Sequence, residues 1–135
     1  MQARGKPRQK VAFSCGFWWY LDPERKSAVR LDPHFWRCGW RVEQLCVLLG
    51  VGKRTFGRVV VESLGITTKN WLRQIRIVAA CHMIREGWKI KCLANALGIG
   101  DEADFTREFK KLIGVSPSYF RKSELSRAEG FTNDL

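Results

Sequence analysis

The sequence predicts an all-α fold: two helix–turn–helix units joined by one long linker helix, behind a short aromatic N-terminal extension. Three observations predict it. From Arg41 onward apolar residues recur at helical spacing, and no strand pattern of any length shows anywhere in the chain. Residues 45–66 lie over residues 93–115 as an internal repeat, with one extra residue in the second copy. Between the copies runs a stretch, Thr68 to Glu86, that is apolar around most of its circumference and so needs neighbours on two sides.

Taken in order, residues 1–10 are polar, basic and without periodicity, and read as a mobile arm. The run VAFSCGFWWYL that follows is too aromatic to be left in water. With Phe35, Trp36 and Trp40 it makes residues 1–40 an extension that packs on the first unit. Asp22-Pro23 and Asp32-Pro33 each have the chemistry of a turn or a helix start, with Asp as N-cap and Pro at the first helical position, and predict short helices from about those prolines. Residues 41–67 form the first unit. Val42, Leu45, Cys46, Leu48 and Leu49 stripe its first helix up to Gly50. Phe56, Val59, Val60 and Leu64 stripe its second, which closes at Gly65. Residues 68–87 are the linker helix. Residues 88–123 are the second unit: Ile90, Leu93, Ala94 and Leu97 before Gly98, then Phe105, Phe109, Leu112 and Ile113, then a last short helix from Pro117. Residues 124–135 read as a loose tail.

The two copies agree in detail. Leu45 lies over Leu93, Leu49 over Leu97, Gly50 over Gly98, Phe56 over Phe105, Arg58 over Arg107 and Gly65 over Gly114. Each copy is a short helix, a tight turn with Gly and a second helix, the outline of a helix-turn-helix. The turn needs Gly because the chain reverses there with positive φ.

Charge narrows the function. The chain of 135 residues carries a formal +11, with 24 Lys and Arg against 13 Asp and Glu. A field of that sign favours polyanions. No apolar run has the length to span a bilayer and nothing resembles a signal peptide, so the expected location is cytoplasmic with no membrane partner. Five cysteines, Cys15, Cys38, Cys46, Cys81 and Cys92, show no CxxC spacing and read as thiols, mostly buried. A zinc site from Cys15, His34 and Cys38 would lack a fourth ligand, so neither metal nor cofactor is expected.

The segment GIGDEADFTREFKKLIGVSPSYFR resembles the signature of the AraC/XylS type of transcription regulators. It matches at Gly98, Asp101, Phe105, Arg107, Phe109, Lys110, Gly114, Ser116, Pro117 and Arg121, and departs at Ile99, Ala103 and Phe120. The segment WLRQIRIVAACHMI is similar to that family's linker helix, with Arg76 and Ala80 at its marked positions. The resemblance covers about residues 41–122. It implies no enzyme but a sequence-specific binder of double-stranded promoter or operator DNA, with the second helix of each unit in a major groove. RNA polymerase is a further partner it admits. The first forty residues lie outside the resemblance, and their aromatic run is a candidate surface for a protein partner or a second copy.

The candidate base contacts are Lys53, Arg54, Thr55, Gly57 and Arg58 on the solvent face of the first unit's second helix, where Arg54 and Arg58 match base-touching positions of the family, and Glu102, Ala103, Thr106 and Arg107 at the matching positions of the second unit. Arg is the best bidentate reader of guanine, and Arg54 and Arg58 stand four apart on one helix face. Gly57 is either a point of close approach to the groove or a neutral residue. Asp101, Glu102 and Asp104 fall in the first turn, where carboxylates oppose the positive helix end, with Asp101 as N-cap. Glu102 is also a candidate acceptor for a cytosine amino group, and Arg107 is either a base contact or the partner of an intramolecular acid. Lys69, Lys89, Lys91, Lys110, Lys111 and Arg121 suit phosphate contact, which positions without specifying. About eight neutralised phosphates give a log–log salt slope near −7. Two other readings compete: a non-specific architectural binder, and the DNA-binding part of a metal- or cysteine-dependent DNA-modifying protein.

Overall fold

The computed structural model describes residues 8–133, with side chains through residue 127. Most of the basic arm, residues 1–7, and the end of the tail lie outside the described residues. The chain forms two compact units that divide between Leu72 and Arg73.

The first unit opens with a sheet, which corrects the all-α expectation. Strands β1 (Lys10–Ser14), β2 (Phe17–Asp22) and β3 (Ser27–Arg30) form an antiparallel meander in that order. Val11 faces Tyr20 across β1 and β2, and Tyr20 faces Val29 across β2 and β3. The first connection is the two residues Cys15 and Gly16, both left-handed (φ 55° and 83°), as a tight hairpin with right-handed strand twist demands. The second is where a helix was expected from Pro23. Asp22 is buried at 4% exposure, and its carboxylate accepts from the Arg25 backbone N–H at 3.3 Å. Lys26 N–H closes the turn on the Pro23 carbonyl at 3.2 Å. Asp-Pro begins a turn with the same chemistry that begins a helix, and here strands flank it.

The second Asp-Pro does start a helix, α1 (Asp32–Arg37), but Asp32 does not cap it. Its carboxylate accepts the Trp18 backbone N–H at 2.8 Å and ties the helix start to β2. Helices α2 (Val42–Leu49) and α3 (Lys53–Leu64) follow, then α4 (Thr68–Arg85), whose first turns complete this unit. The core gathers around Trp71, 1% exposed. Its ring lies 5.3 Å from Trp18, 5.7 Å from Phe35 and 6.2 Å from Phe56. The extension is thus built into the unit: Tyr20 packs on Phe56 at 5.9 Å, and Val11 N–H donates to Ser63 Oγ on α3 at 3.0 Å.

The second unit takes the rest of α4, then α5 (Ile90–Ala96), α6 (Glu102–Ile113) and α7 (Pro117–Asn133). Its core holds Ile77, Ala80, Ile84, Leu93, Leu97, Phe105 and Phe109, with Phe120 edge-on to Phe109 at 5.6 Å. The breadth of apolar surface on α4 has a simple source. Trp71 and Leu72 serve one core, while Ile77, Ala80, Cys81, Met83 and Ile84 serve the other. Helix α7 continues to Asn133, well past the residue 123 boundary expected for the second unit.

Candidate nucleic-acid interface

The internal repeat is reproduced in the backbone of its turns. In the first unit Gly50 ends α2 in a left-handed conformation (φ 68°), and Val51 N–H returns to the Cys46 carbonyl at 3.1 Å. In the second, Gly98 has φ 68°, and Ile99 N–H returns to the Ala94 carbonyl at 2.9 Å. A side chain is strained at that φ, which is why Gly stands at both turns. Leu45 and Leu93, Cys46 and Ala94, and Phe56 and Phe105 are all buried pairwise. The extra residue of the second copy sits in its turn, where Asp101 rather than Gly52 precedes the outer helix.

Helices α3 and α6 each bury one face and leave the other polar. On α3, Phe56, Val59 and Val60 are 0–1% exposed, while Lys53, Arg54 and Arg58 stand in solvent and Thr55 and Gly57 are half-buried. Lys53 Nζ lies 2.8 Å from Glu43 Oε2, which holds the Glu43 carboxyl below its usual pKa and lifts that of Lys53. Arg58 Nη1 lies 3.4 Å from Glu62 Oε1, whose other oxygen is 3.5 Å from Arg8. Arg54 has no ion pair among the described residues and is the least committed cation of this face. A methyl group on Gly57 would meet only Thr68 Oγ1, at 3.9 Å, so the site has room for a larger residue.

On α6 the order of charges is reversed. Asp101 Oδ1 accepts from Asp104 N–H at 2.8 Å, the capping bond the first-turn acids suggested. The Asp104 carboxylate in turn pairs with Arg107 one turn later, which holds Asp104 below its usual pKa and raises that of Arg107. Of the two readings of Arg107, the intramolecular pair is the one present here. Glu102 and Ala103 are exposed and Thr106 is half-buried. By contrast α3 has Gly52 as N-cap with no side-chain bond, and no acid in its first turn.

The six candidate phosphate contacts differ in freedom. Lys69, Lys89, Lys91, Lys110 and Lys111 are exposed, whereas Arg121 donates to the Trp88 carbonyl and braces the loop before α5. Two salt bridges that spacing alone does not reveal support the second unit: Arg73 to Glu108 at 2.9 Å, from α4 to α6, and Arg85 to Glu124 at 3.1 Å, from α4 to α7. The residue most clearly missed from sequence is Arg25. Its guanidinium donates to the Leu49 and Gly50 carbonyls, at 3.3 and 3.2 Å, and so caps α2 from the β2–β3 turn. Its signal was present only as a cation in a turn, with no way to see which carbonyls it meets.

Cys38, Cys46 and Cys81 are buried, and burial raises the pKa of each thiol; Cys15 and Cys92 are exposed. Among the described residues no three His, Cys, Asp or Glu side chains are grouped to hold a metal ion, and no helix is long and apolar enough to cross a membrane.

Comparison with known proteins agrees with this geometry. Residues 45–123, more than half of the chain, match the helix-turn-helix domain family model. An uncharacterized HTH-type transcriptional regulator of Haemophilus influenzae is 28% identical over 85 residues, 62% of this chain and 28% of that protein. The virulence regulon transcriptional activator VirF of Yersinia enterocolitica is 25% identical over 105 residues, 77% of this chain and 38% of that protein. The chain thus spans well under half the length of these relatives. Among solved structures, the C-terminal domain of AraT, a response regulator from Geobacillus stearothermophilus, aligns at TM-score 0.59 and 26% identity over 69% of this chain and 78% of that one. A transcriptional regulator of Chromobacterium violaceum, described as containing an AraC-type DNA-binding domain, shares the fold at TM-score 0.57 and 16% identity, over 62% of this chain and 76% of that one. With the family match, the repeated turn and the linker helix all in agreement, the chain belongs to the AraC-type helix-turn-helix family.

Proposed function

We propose that the chain binds double-stranded DNA sequence-specifically as the reading part of a bacterial transcription regulator, with α3 and α6 entering successive major grooves. The observation that carries this reading is the equivalence of the two units. The same turn and the same buried anchor (Phe56 or Phe105) recur in both, and each outer helix turns a polar face outward, so α3 and α6 are carried in the same local frame although their charges differ. Grooves on one DNA face lie about 10 base pairs apart, which gives an asymmetric site of about 20 base pairs. Lys53, Arg54, Thr55, Gly57 and Arg58 meet bases in one half-site, and Glu102, Ala103, Thr106 and Arg107 in the other. Lys69, Lys89, Lys91, Lys110, Lys111 and Arg121 meet phosphates.

The units are not equal readers. Arg54 stands free among the described residues, whereas Arg107 must leave Asp104 before it meets a base. The first unit therefore dominates affinity. Selection of bound duplexes from a random library tests the reading. Enrichment of two short blocks about one helical turn apart is expected, with Arg54→Ala costing about 1–3 kcal/mol of discrimination at one block and Arg107→Ala less at the other. A pool with no enriched sequence would favour an architectural binder and overturn the proposal.

A further inference from the structure

The β2–β3 turn lies outside the family match, yet it is fastened to the first reading unit. Arg25 bonds the Leu49 and Gly50 carbonyls at the turn that leads into α3, and Asp22, buried at 4%, holds Arg25 from behind at 3.6 Å. Its nitrogen is close enough that a methyl group on Gly50 would meet it at 3.2 Å. The next residue, Lys26, is exposed and left-handed at φ 51°. An L-residue with a long side chain is disfavoured there, and Gly or Asn would sit more easily. A strained cation at the tip of a turn, next to an arginine bonded to the end of α2 just before the helix that enters the groove, calls for a reason other than the turn itself.

From these observations we infer that the β2–β3 turn is a further DNA-backbone contact, in which the Lys26 ammonium meets a phosphate on the wall of the groove that receives α3. The inference rests on the proposed DNA-binding reading. Recognition helices in this arrangement enter the groove by their N-terminal residues, so the element bonded at Leu49 and Gly50, three residues before α3 begins, lies beside the groove wall. Glu24, exposed on the same turn, opposes the contact, so the tip is tuned rather than strongly basic. Arg25 acts as a positioning residue: it holds the tip against the helix–turn–helix and is not itself the contact.

The test uses the full chain and the best duplex from the library selection, with affinity measured by fluorescence anisotropy between 50 and 200 mM salt. Lys26→Gly is expected to retain or raise the melting temperature, because it relieves the left-handed strain, while weakening binding to every duplex alike. Losing one phosphate contact makes the log–log salt slope shallower by about 0.9, so the wild-type advantage shrinks about 3.5-fold over that salt range. Lys26→Arg should restore the slope, and Glu24→Gln should tighten binding. Arg54→Ala, run beside them, reports on the reading beneath: it should alter base preference and leave Lys26 dependence intact. If Arg54→Ala loses discrimination while Lys26→Gly leaves slope and affinity unchanged, the turn makes no contact and this inference is wrong. If the wild-type chain shows no selected site at all, the failure belongs to the DNA-binding reading instead.

Discussion

Trp71 offers the sharpest test of how the extension, α1 and α3 are held as one body. Its side chain is 1% exposed and touches rings from β2, α1 and α3 at 5.3, 5.7 and 6.2 Å. Truncation to Ala removes a large buried aromatic, a change that costs about 3–5 kcal/mol. The edge-on pairs with Trp18 and Phe35 each contribute about 0.5–1.5 kcal/mol beyond burial, so the upper part of that range is expected. Trp71→Phe separates ring from indole. Among the described residues the buried Nε1 has no hydrogen-bond partner, so Phe removes an unsatisfied donor, worth about 1–3 kcal/mol, and offsets the small cavity it leaves. The expected loss for Phe is below about 1.5 kcal/mol. Urea unfolding followed by near-ultraviolet circular dichroism reports the aromatic core of the first unit, and far-ultraviolet signal reports both units. A Trp71→Phe variant as damaged as Trp71→Ala would show that the indole nitrogen is bonded, and a Trp71→Ala variant within 1 kcal/mol of wild type would show that this core is not assembled around it.

Removing the α6 cap by Asp101→Ala should destabilise the second unit by about 0.5–2 kcal/mol, read by amide hydrogen exchange in α6, with little change in α3. The Asp104–Arg107 pair lowers the folded pKa of Asp104 from the ordinary 3.8, so its stabilisation is complete above that pH and is lost as pH falls through the lower folded value. Carboxyl chemical shifts of Asp104 should titrate below 3.8 and return to the ordinary range in Arg107→Ala. Asp104→Asn frees Arg107 and removes an acid beside the DNA; it should tighten binding at the second half-site and steepen the salt dependence, and unchanged binding would refute the competition between acid and DNA.

Helical content from Arg41 to Phe120 was legible because α2, α3, α5 and α6 each bury a single stripe at helical spacing, and α4 is apolar on the two sides that serve two cores. Gly50 and Gly98 announced both turns, and Asp101 its own capping role. The sheet was not legible because its strands are four to six residues long and β2 has large apolar residues on both faces, Trp18 and Tyr20 on one and Phe17, Trp19 and Leu21 on the other, so FWWYLD shows no alternation. Asp22-Pro23 and Asp32-Pro33 were indistinguishable as dipeptides. What separates them is tertiary: Asp22 folds back on Arg25 within a hairpin, while Asp32 reaches across to Trp18 and leaves Pro33 free to start α1. The candidate contacts on α3 and α6 were legible as positions. Their commitments were not, since the choice of Glu43 for Lys53 and of Asp104 for Arg107 depends on rotamers.

The contrast between α3 and α6 follows from one inserted residue and from the charges of the first turn. Adding Asp101 to the second turn gives α6 a side-chain cap and places Asp104 where its N–H is capped and its carboxylate meets Arg107. The helix gains local stability, and its leading end gains negative charge close to where phosphates would pass. In α3 the shorter turn leaves Gly52 at the cap and Lys53 and Arg54 in the first turn, a poorer start for an isolated helix but a better one for a polyanion. The missing local stability is supplied from outside the repeat: Arg25 caps the preceding helix, and Ser63 Oγ accepts from β1 at the far end of α3. The extension therefore has a physical task that the second unit does not require. It holds in place a helix whose first turn carries charge rather than a side-chain cap.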